Sequence, residues 1–199
     1  MQTTNDIRRR IRNIRRGLPA QARRFKSRSA AGHFITSIRL LRHQRIALYI
    51  AADGELDPAP LLKRLQALNK TLYLPVLRKG RQRALWFSEY RPDDNLQRNR
   101  FGIAEPDIRH RKPVPPWGLD LIIMPLVAFN GSGIRVGMGG GYYDRTLAYQ
   151  RRHPLWRKPE LVGYGYDFQQ QQDLKQQAWD VPLHGIVTEN RYLDFKSNR

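Results

Sequence analysis

Residues 119–145 read "LDLIIMPLVAFNGSGIRVGMGGGYYDR". The first part, "LDLIIMP" (119–125), is apolar almost throughout and does not alternate. Such a run fits a strand buried on both faces, as in parallel sheets covered by helices on each side. A loop follows, and a helix begins near Tyr142. That order puts the loop at the carboxyl end of a central strand, where open α/β sheets bind their ligands. The stretch ends in "GMGGGYYDR" (137–145), with four glycines in nine positions. Glycine loses more backbone freedom on folding than any other residue, so the cluster needs a physical reason.

The flanking segments support the same class. "RIALYI" (45–50) reads as a buried strand, "APLLKRLQALN" (59–69) as a helix, "KTLYLPV" (70–76) and "RALWFSEY" (83–90) as strands. Strand, helix, strand in this order predicts a parallel crossover. Residues 91–118, polar and then proline-rich, read as a long connection. Beyond the glycines, "YYDRTLAYQRR" reads as one helix, "PELVGYGYD" (159–167) as a strand and "VPLHGIVTE" (181–189) as the last strand. Upstream, Ile7, Ile11 and Ile14 recur at helical spacing with Arg between them, and Gly17 and Pro19 punctuate. A second helix follows, with Phe25, His33, Phe34, Ile38 and Leu41 as candidate inward positions. The expectation is one α/β domain over 1–199, with a mostly parallel sheet, helices on both faces and basic N-terminal helices (6–43) packed on the core.

Composition narrows the function classes. A chain of 199 residues with 40% hydrophobic and 10% aromatic content suits a folded domain rather than a disordered one. Cys is absent, which excludes disulfides, thiolate nucleophiles and Cys-based zinc sites. The N-terminus lacks the apolar core of a signal peptide, and no run approaches a membrane span, so a cytoplasmic protein is expected. The formal charge of +19 points to polyanions or phosphorylated small molecules, or simply to a solvated face.

The glycine stretch allows a sharper reading. Amides at a helix start are unpaired and carry partial positive charge, which suits phosphate. Glycines let such amides wrap an anion without steric clash. Gly137, Gly139, Gly140 and Gly141 are therefore a candidate phosphate cradle, with Arg135 and Arg145 adding charge-assisted hydrogen bonds. No Gly-Lys-Ser/Thr follows, so this is not a Walker loop, and the dinucleotide fingerprint fits poorly. The bland alternative is a tight turn with no ligand. Asp144 equally favours a helix start through the dipole, or holds Mg²⁺ beside phosphate oxygens.

The extended motif "MPLVAFNGSGIRVGMGGGYYDR" resembles the signature of the 5-formyltetrahydrofolate cyclo-ligase family. "GELDPAPLL" (54–62), "FGIAEP" (101–106) and "WDVPLHGIVTE" (179–189) resemble further family segments in the right order, and "RRRIR" stands where the family has a basic helix. The resemblance implies a three-layer α/β/α sandwich and an ATP- and Mg²⁺-dependent ligase acting on 5-formyltetrahydrofolate through a phosphorylated formyl intermediate. It places Arg8, Arg9, Arg10, Ile11 and Arg12 at ATP, together with Arg135, Val136, Gly137, Met138, Gly139, Gly140, Gly141, Tyr142 and Tyr143. It places Ile50, Glu55 and Met138 to Tyr142 at the folate, and Asp144 and Asp180 at Mg²⁺. Arg135, Arg145 and Tyr143 are the catalytic candidates, and a monomer is implied.

Departures from the family pattern are Asn130 for Asp, Val136 for Leu, Pro58 for Thr, Trp179 for His and His184 for Asp. Residue by residue, bland readings stand beside these roles. Glu55 suits a helix start and Asp180 a turn before Pro182. Trp86, Trp117 and Trp179 suit packing, and His33, His43, His110 and His153 show no metal spacing. The alternative function is a basic nucleic-acid-binding module on the same fold, held by non-specific charge, although RNA-binding signatures are absent.

Overall fold

A computed structural model describes residues 2–78, 83–109, 111–152 and 158–195, so the readings at His110 and His153 lie outside the described residues. Helix α1 (Thr4–Gly17) starts at a capping box. Asp6 N–H donates to the Thr3 hydroxyl and Thr3 N–H to the Asp6 carboxylate, each at 3.2 Å. The exchange satisfies two amides that a helix start leaves open. The chain breaks at Gly17 and Pro19, as the sequence suggests, and α2 (Ala20–Ser37) follows.

Two expectations about these helices need correction. Ile14 is 41% exposed, while Arg15 is 0% exposed. The buried row of α1 runs Ile7, Ile11, Arg15, one residue every fourth position, and acids on a facing loop draw Arg15 inward. In α2 the buried row is Ser27, Ala30, Ala31 and Phe34, continued by Ile38, as expected for the last two. Phe25 lies on the opposite side of that helix and is 73% exposed. Leu41 falls in a 3₁₀ turn (Leu40–Arg42) that breaks the helical phase, so Leu40 is buried and Leu41 faces solvent.

Strand β1 (Arg45–Ala47), helix α3 (Ala59–Ala67) and β2 (Thr71–Leu77) form the expected crossover, with Ile46 opposite Leu72 in parallel register. β3 (Leu85–Glu89) returns antiparallel to β2. The 91–118 connection holds a hairpin of its own, β4 (Leu96–Arg98) with β5 (Ala104–Pro106). β6 (Leu121–Met124) leads to a second small ladder, β7 (Ala128–Phe129) with β8 (Arg135–Val136). The helix expected after the glycines is divided into α4 (Tyr142–Leu147) and α5 (Tyr149–Arg152). β9 (Glu160–Tyr164) and β10 (Gly185–Val187) follow. A strand that was not anticipated, β11 (Tyr192–Asp194), pairs antiparallel with β10.

The main sheet has the order β11-β10-β9-β6-β1-β2-β3. Its inner strands β10, β9, β6, β1 and β2 are parallel, and both edges are antiparallel. β6 shows how the layers form. Leu121 and Ile123 face a core shared with Phe34, Leu61 and Leu65 of α2 and α3. Ile122 and Met124 face the other core, with Leu147 of α4, Phe87 and Leu183. Alternate side chains thus point to opposite faces, and both faces are covered, giving the three-layer α/β/α arrangement. Asp120, the one acid in the apolar run, accepts from the amides of Gln44 and Arg45 at 2.9 Å and pairs with Lys158 at 2.7 Å. At the β3 edge, Phe87 and Val114 exchange backbone hydrogen bonds of 2.9 and 2.8 Å, with Pro113 and Pro115 on either side of Val114.

Candidate active site

The loops after β1 and β6 leave the carboxyl ends of neighbouring parallel strands, and the glycine turn and the β4–β5 hairpin close over them. Between them lies a cleft of about 650 Å³, walled by Ile50, Glu55, Phe101, Leu126, Met138 and Tyr142 among others. This is where the strand order predicts a ligand.

The glycine turn forms one wall. Gly139 has φ 95° and Gly141 has φ 63°, conformations that side-chain-bearing residues rarely adopt. Gly141 is the left-handed cap from which α4 starts, and a Cβ there would stand 2.8 Å from the Arg145 guanidinium. Three carbonyls of the turn, those of Gly137, Gly140 and Gly141, accept hydrogen bonds. Arg8 Nε donates to Gly137 O at 2.9 Å, and Arg145 donates to Gly140 O and to Arg83 O. The main-chain amides of Gly137 through Tyr142 donate to nothing among the described residues. Gly137 to Gly140 are exposed, so these amides are open to solvent, and a run of unpaired glycine amides of this kind can wrap an anion. Tyr142 is fixed at the rim: its hydroxyl accepts from Arg100 at 2.6 Å, and Phe101 meets its ring edge-on at 5.6 Å.

Glu55 stands on another wall. Glu55 does not cap α3: Pro58 is the N-cap residue, and Asp57 before it accepts from Ala59 N–H at 2.9 Å. Glu55 is therefore free of the helix-start role, and its carboxylate lines the cleft, accepting from Ala52 N–H at 3.1 Å. Burial pushes its pKa up to about 7, against the pull of the Ala52 amide and of Arg15. The buried phenol of Tyr143 lies within electrostatic reach of Glu55 and Arg135, and its pKa is raised, chiefly by burial.

Asp144 and Asp180 come together at the start of α4. Arg135, 7% exposed, donates to Asp144 Oδ1 at 2.5 Å and to Val181 O. Asp180 accepts from Gln177 N–H at 2.8 Å. Burial raises its pKa, and the Asp144 charge adds to that rise. Among the described residues, no three His, Cys, Asp or Glu side chains gather as a complete ligand set. A site of two carboxylates suits an ion that takes its other ligands from phosphate and water.

The model of the 5-formyltetrahydrofolate cyclo-ligase family matches residues 1–189. The chain belongs to the 5-formyltetrahydrofolate cyclo-ligase family. It is 38% identical to the 5-formyltetrahydrofolate cyclo-ligase of Haemophilus influenzae, over 94% of this chain and 97% of that one. It is also 38% identical to the enzyme of that name from Escherichia coli K12, over 93% of this chain and 100% of that one. The solution structure of 5,10-methenyltetrahydrofolate synthetase from Aquifex aeolicus superposes with a TM-score of 0.80 at 30% identity, covering 98% of this chain and 94% of that one. A cyclo-ligase is an enzyme, so the reading as a purely nucleic-acid-binding module falls.

Against the cyclo-ligase expectations, the structure gathers some residues and separates others. Gly137, Met138, Gly140 to Tyr143, Ile50 and Glu55 meet around this cleft, with Arg8 and Arg145 gripping the turn. Arg12 reaches Asp53 in the loop beside Glu55, at 2.7 Å. Arg9 instead pairs with Asp6 in solvent, Arg10 donates to Gln171, and Ile11 is fully buried beside Val127 and Val136. Helical geometry compels this, because five consecutive residues point in all directions around α1. Val136 is likewise buried, with the turn's backbone rather than this side chain offered to the cleft. Arg135 lies behind the turn, holding Asp144. The departures have simple accounts. Asn130 accepts from Ser132 and Ile134 N–H at 3.0 Å, as an Asp would. His184 Nδ1 accepts from Leu161 N–H at 3.0 Å, and Trp179 is exposed. Sequence reading missed Arg15, hidden in a run of arginines, and Arg100, in a stretch read only as a long connection; Phe101 opens the matched segment 101–106, but no role was assigned to it.

Proposed function

We propose that this chain converts 5-formyltetrahydrofolate into 5,10-methenyltetrahydrofolate with ATP and Mg²⁺, releasing ADP and phosphate. The observation that carries this is the row of unpaired amides at Gly137–Tyr142 on one wall of the cleft whose other wall presents Glu55. One wall suits phosphate, and the other suits the N–H edge of a flat ring. The apolar surface between them, with Ile50, Leu126 and Tyr142, suits the ring itself.

In this reading the open amides receive the ATP phosphates. Arg8 and Arg145 turn from the carbonyls of Gly137 and Gly140 onto phosphate oxygens. Asp144 and Asp180 hold Mg²⁺, which when bound neutralises charge on the phosphoryl oxygens. The fit is electrostatic: two neighbouring carboxylates disfavour each other's charge, and a cation relieves that. Arg135 keeps Asp144 in place, and Glu55 accepts hydrogen bonds from the pterin.

The formyl oxygen attacks the γ-phosphorus, and ADP leaves with the electron pair of the broken P–O bond. The formyl carbon then carries phosphate as a leaving group. The lone pair of the folate N10 attacks that carbon, N10 gives its proton to solvent, and phosphate departs with the C–O pair. No protein nucleophile is needed, in keeping with a chain that has no Cys. The protein contributes alignment and charge stabilisation. Incubation with 5-formyltetrahydrofolate, ATP and Mg²⁺ tests this: methenyl absorbance is expected to rise with one ADP per turnover. An absent rise, with RNA retention that salt abolishes, would reject it.

A further inference from the structure

Arg15 has no role in the site as drawn so far, yet it is fully buried at its base. Its Nη2 donates to Asp53 at 2.9 Å, and its Nη1 donates to Leu126 O at 3.3 Å and lies 4.0 Å from Glu55 Oε1. One guanidinium therefore touches the loop after β1 and the loop after β6. Asp53, at φ 52°, also receives Arg12 and Arg16 from the same helix. Gly54, at φ 72°, lies so close that a Cβ would stand 3.0 Å from the Arg15 backbone. Arg15 Nε has no hydrogen-bond partner among the described residues. A buried cation with an unsatisfied donor is costly to keep, which argues for a task beyond packing.

We propose that Arg15 is a positioning residue that holds Glu55 in the cleft as a charged acceptor for the folate. It rests on the cyclo-ligase reading and extends it to a residue on α1. Around Glu55, the Ala52 N–H favours the charged form, while burial and Asp53 on its own loop oppose it. The buried phenols of Tyr49 after β1 and Tyr143 on α4 lie within electrostatic reach, and the Tyr166 hydroxyl after β9 donates to Glu55 O at 3.5 Å. Arg15 is the cation that favours its charge. Removing it leaves Glu55 protonated up to a higher pH, because burial then acts with less opposition.

The test is calorimetric binding of 5-formyltetrahydrofolate, without ATP, from pH 5.5 to 9, beside steady-state kinetics. In the wild type, affinity is expected to weaken as pH falls through about 7. In Arg15→Met that break moves to higher pH by about one unit, and folate binds about tenfold more weakly at pH 7. The KM for ATP stays within about twofold. Arg15→Lys, which keeps the charge, retains the wild-type break. Asp53→Asn, tolerated at positive φ, moves it to lower pH by removing a like charge, and this variant serves if Arg15→Met does not fold. An unmoved break in both Arg15→Met and Asp53→Asn, or equal losses of folate and ATP affinity in Arg15→Met, overturns the inference. A wild type that binds the folate but shows no turnover overturns the cyclo-ligase reading instead.

Discussion

At the scale of the residue, Glu55 is legible in sequence only as an acid in a matched segment. What makes it useful is burial in a cleft, which no local pattern reveals. Glu55→Gln is expected to weaken folate binding roughly 10–100-fold above pH 8, the worth of a charge-assisted hydrogen bond. It is also expected to abolish the pH dependence near 7, since Gln does not titrate; an unchanged profile in calorimetry would contradict this. Asp144 has a different duty. In Asp144→Ala the Mg²⁺ concentration for half-maximal turnover is expected to rise about tenfold or more, with folate binding intact, as a Mg²⁺ titration will show. Glu55 was singled out through the family resemblance, and Asp144 already as an acid at the helix start beside the glycines. Arg15 was not, because a buried arginine looks like its solvated neighbours until the facing loop is known. Ile11 stands in the segment that the resemblance places at ATP, and helix geometry turns its side chain into the core.

At the scale of the element, the glycine turn and β6 were the most legible parts, since each carries a pattern with one physical solution. A turn with glycines at φ 95° and 63° disfavours residues that carry a Cβ. Gly141→Ala should raise the KM for ATP about tenfold, through strain and collision with Arg145, while leaving folate affinity nearly unchanged. Kinetics with each substrate varied in turn separate the two. For β6, burial on both faces implies that Ile122→Ala and Ile123→Ala each cost about 2–5 kcal/mol of stability, read by urea unfolding. A surface-like cost at either position would mean that one face of the sheet is open. Weaker elements escaped notice. β11 and the β4–β5 hairpin are built from three-residue strands, too short to show an alternation, although their partners lie close in sequence. The break between α4 and α5 has no glycine or proline to announce it.

At the scale of the whole molecule, the excess of 36 basic over 17 acidic residues gives a net positive field that attracts anions, and salt weakens it. The sheet itself raises a different question, that of where it stops. β11 ends one side with a three-residue strand. On the other, Val114 supplies a single rung to β3, and the prolines before and after it have no N–H with which to offer another. A neighbouring molecule finds no template there for strand addition, so this border resists polymerisation even at high concentration. Replacing Pro113 and Pro115 together by Thr restores the missing donors, and light scattering is expected to show more self-association than in the parent protein.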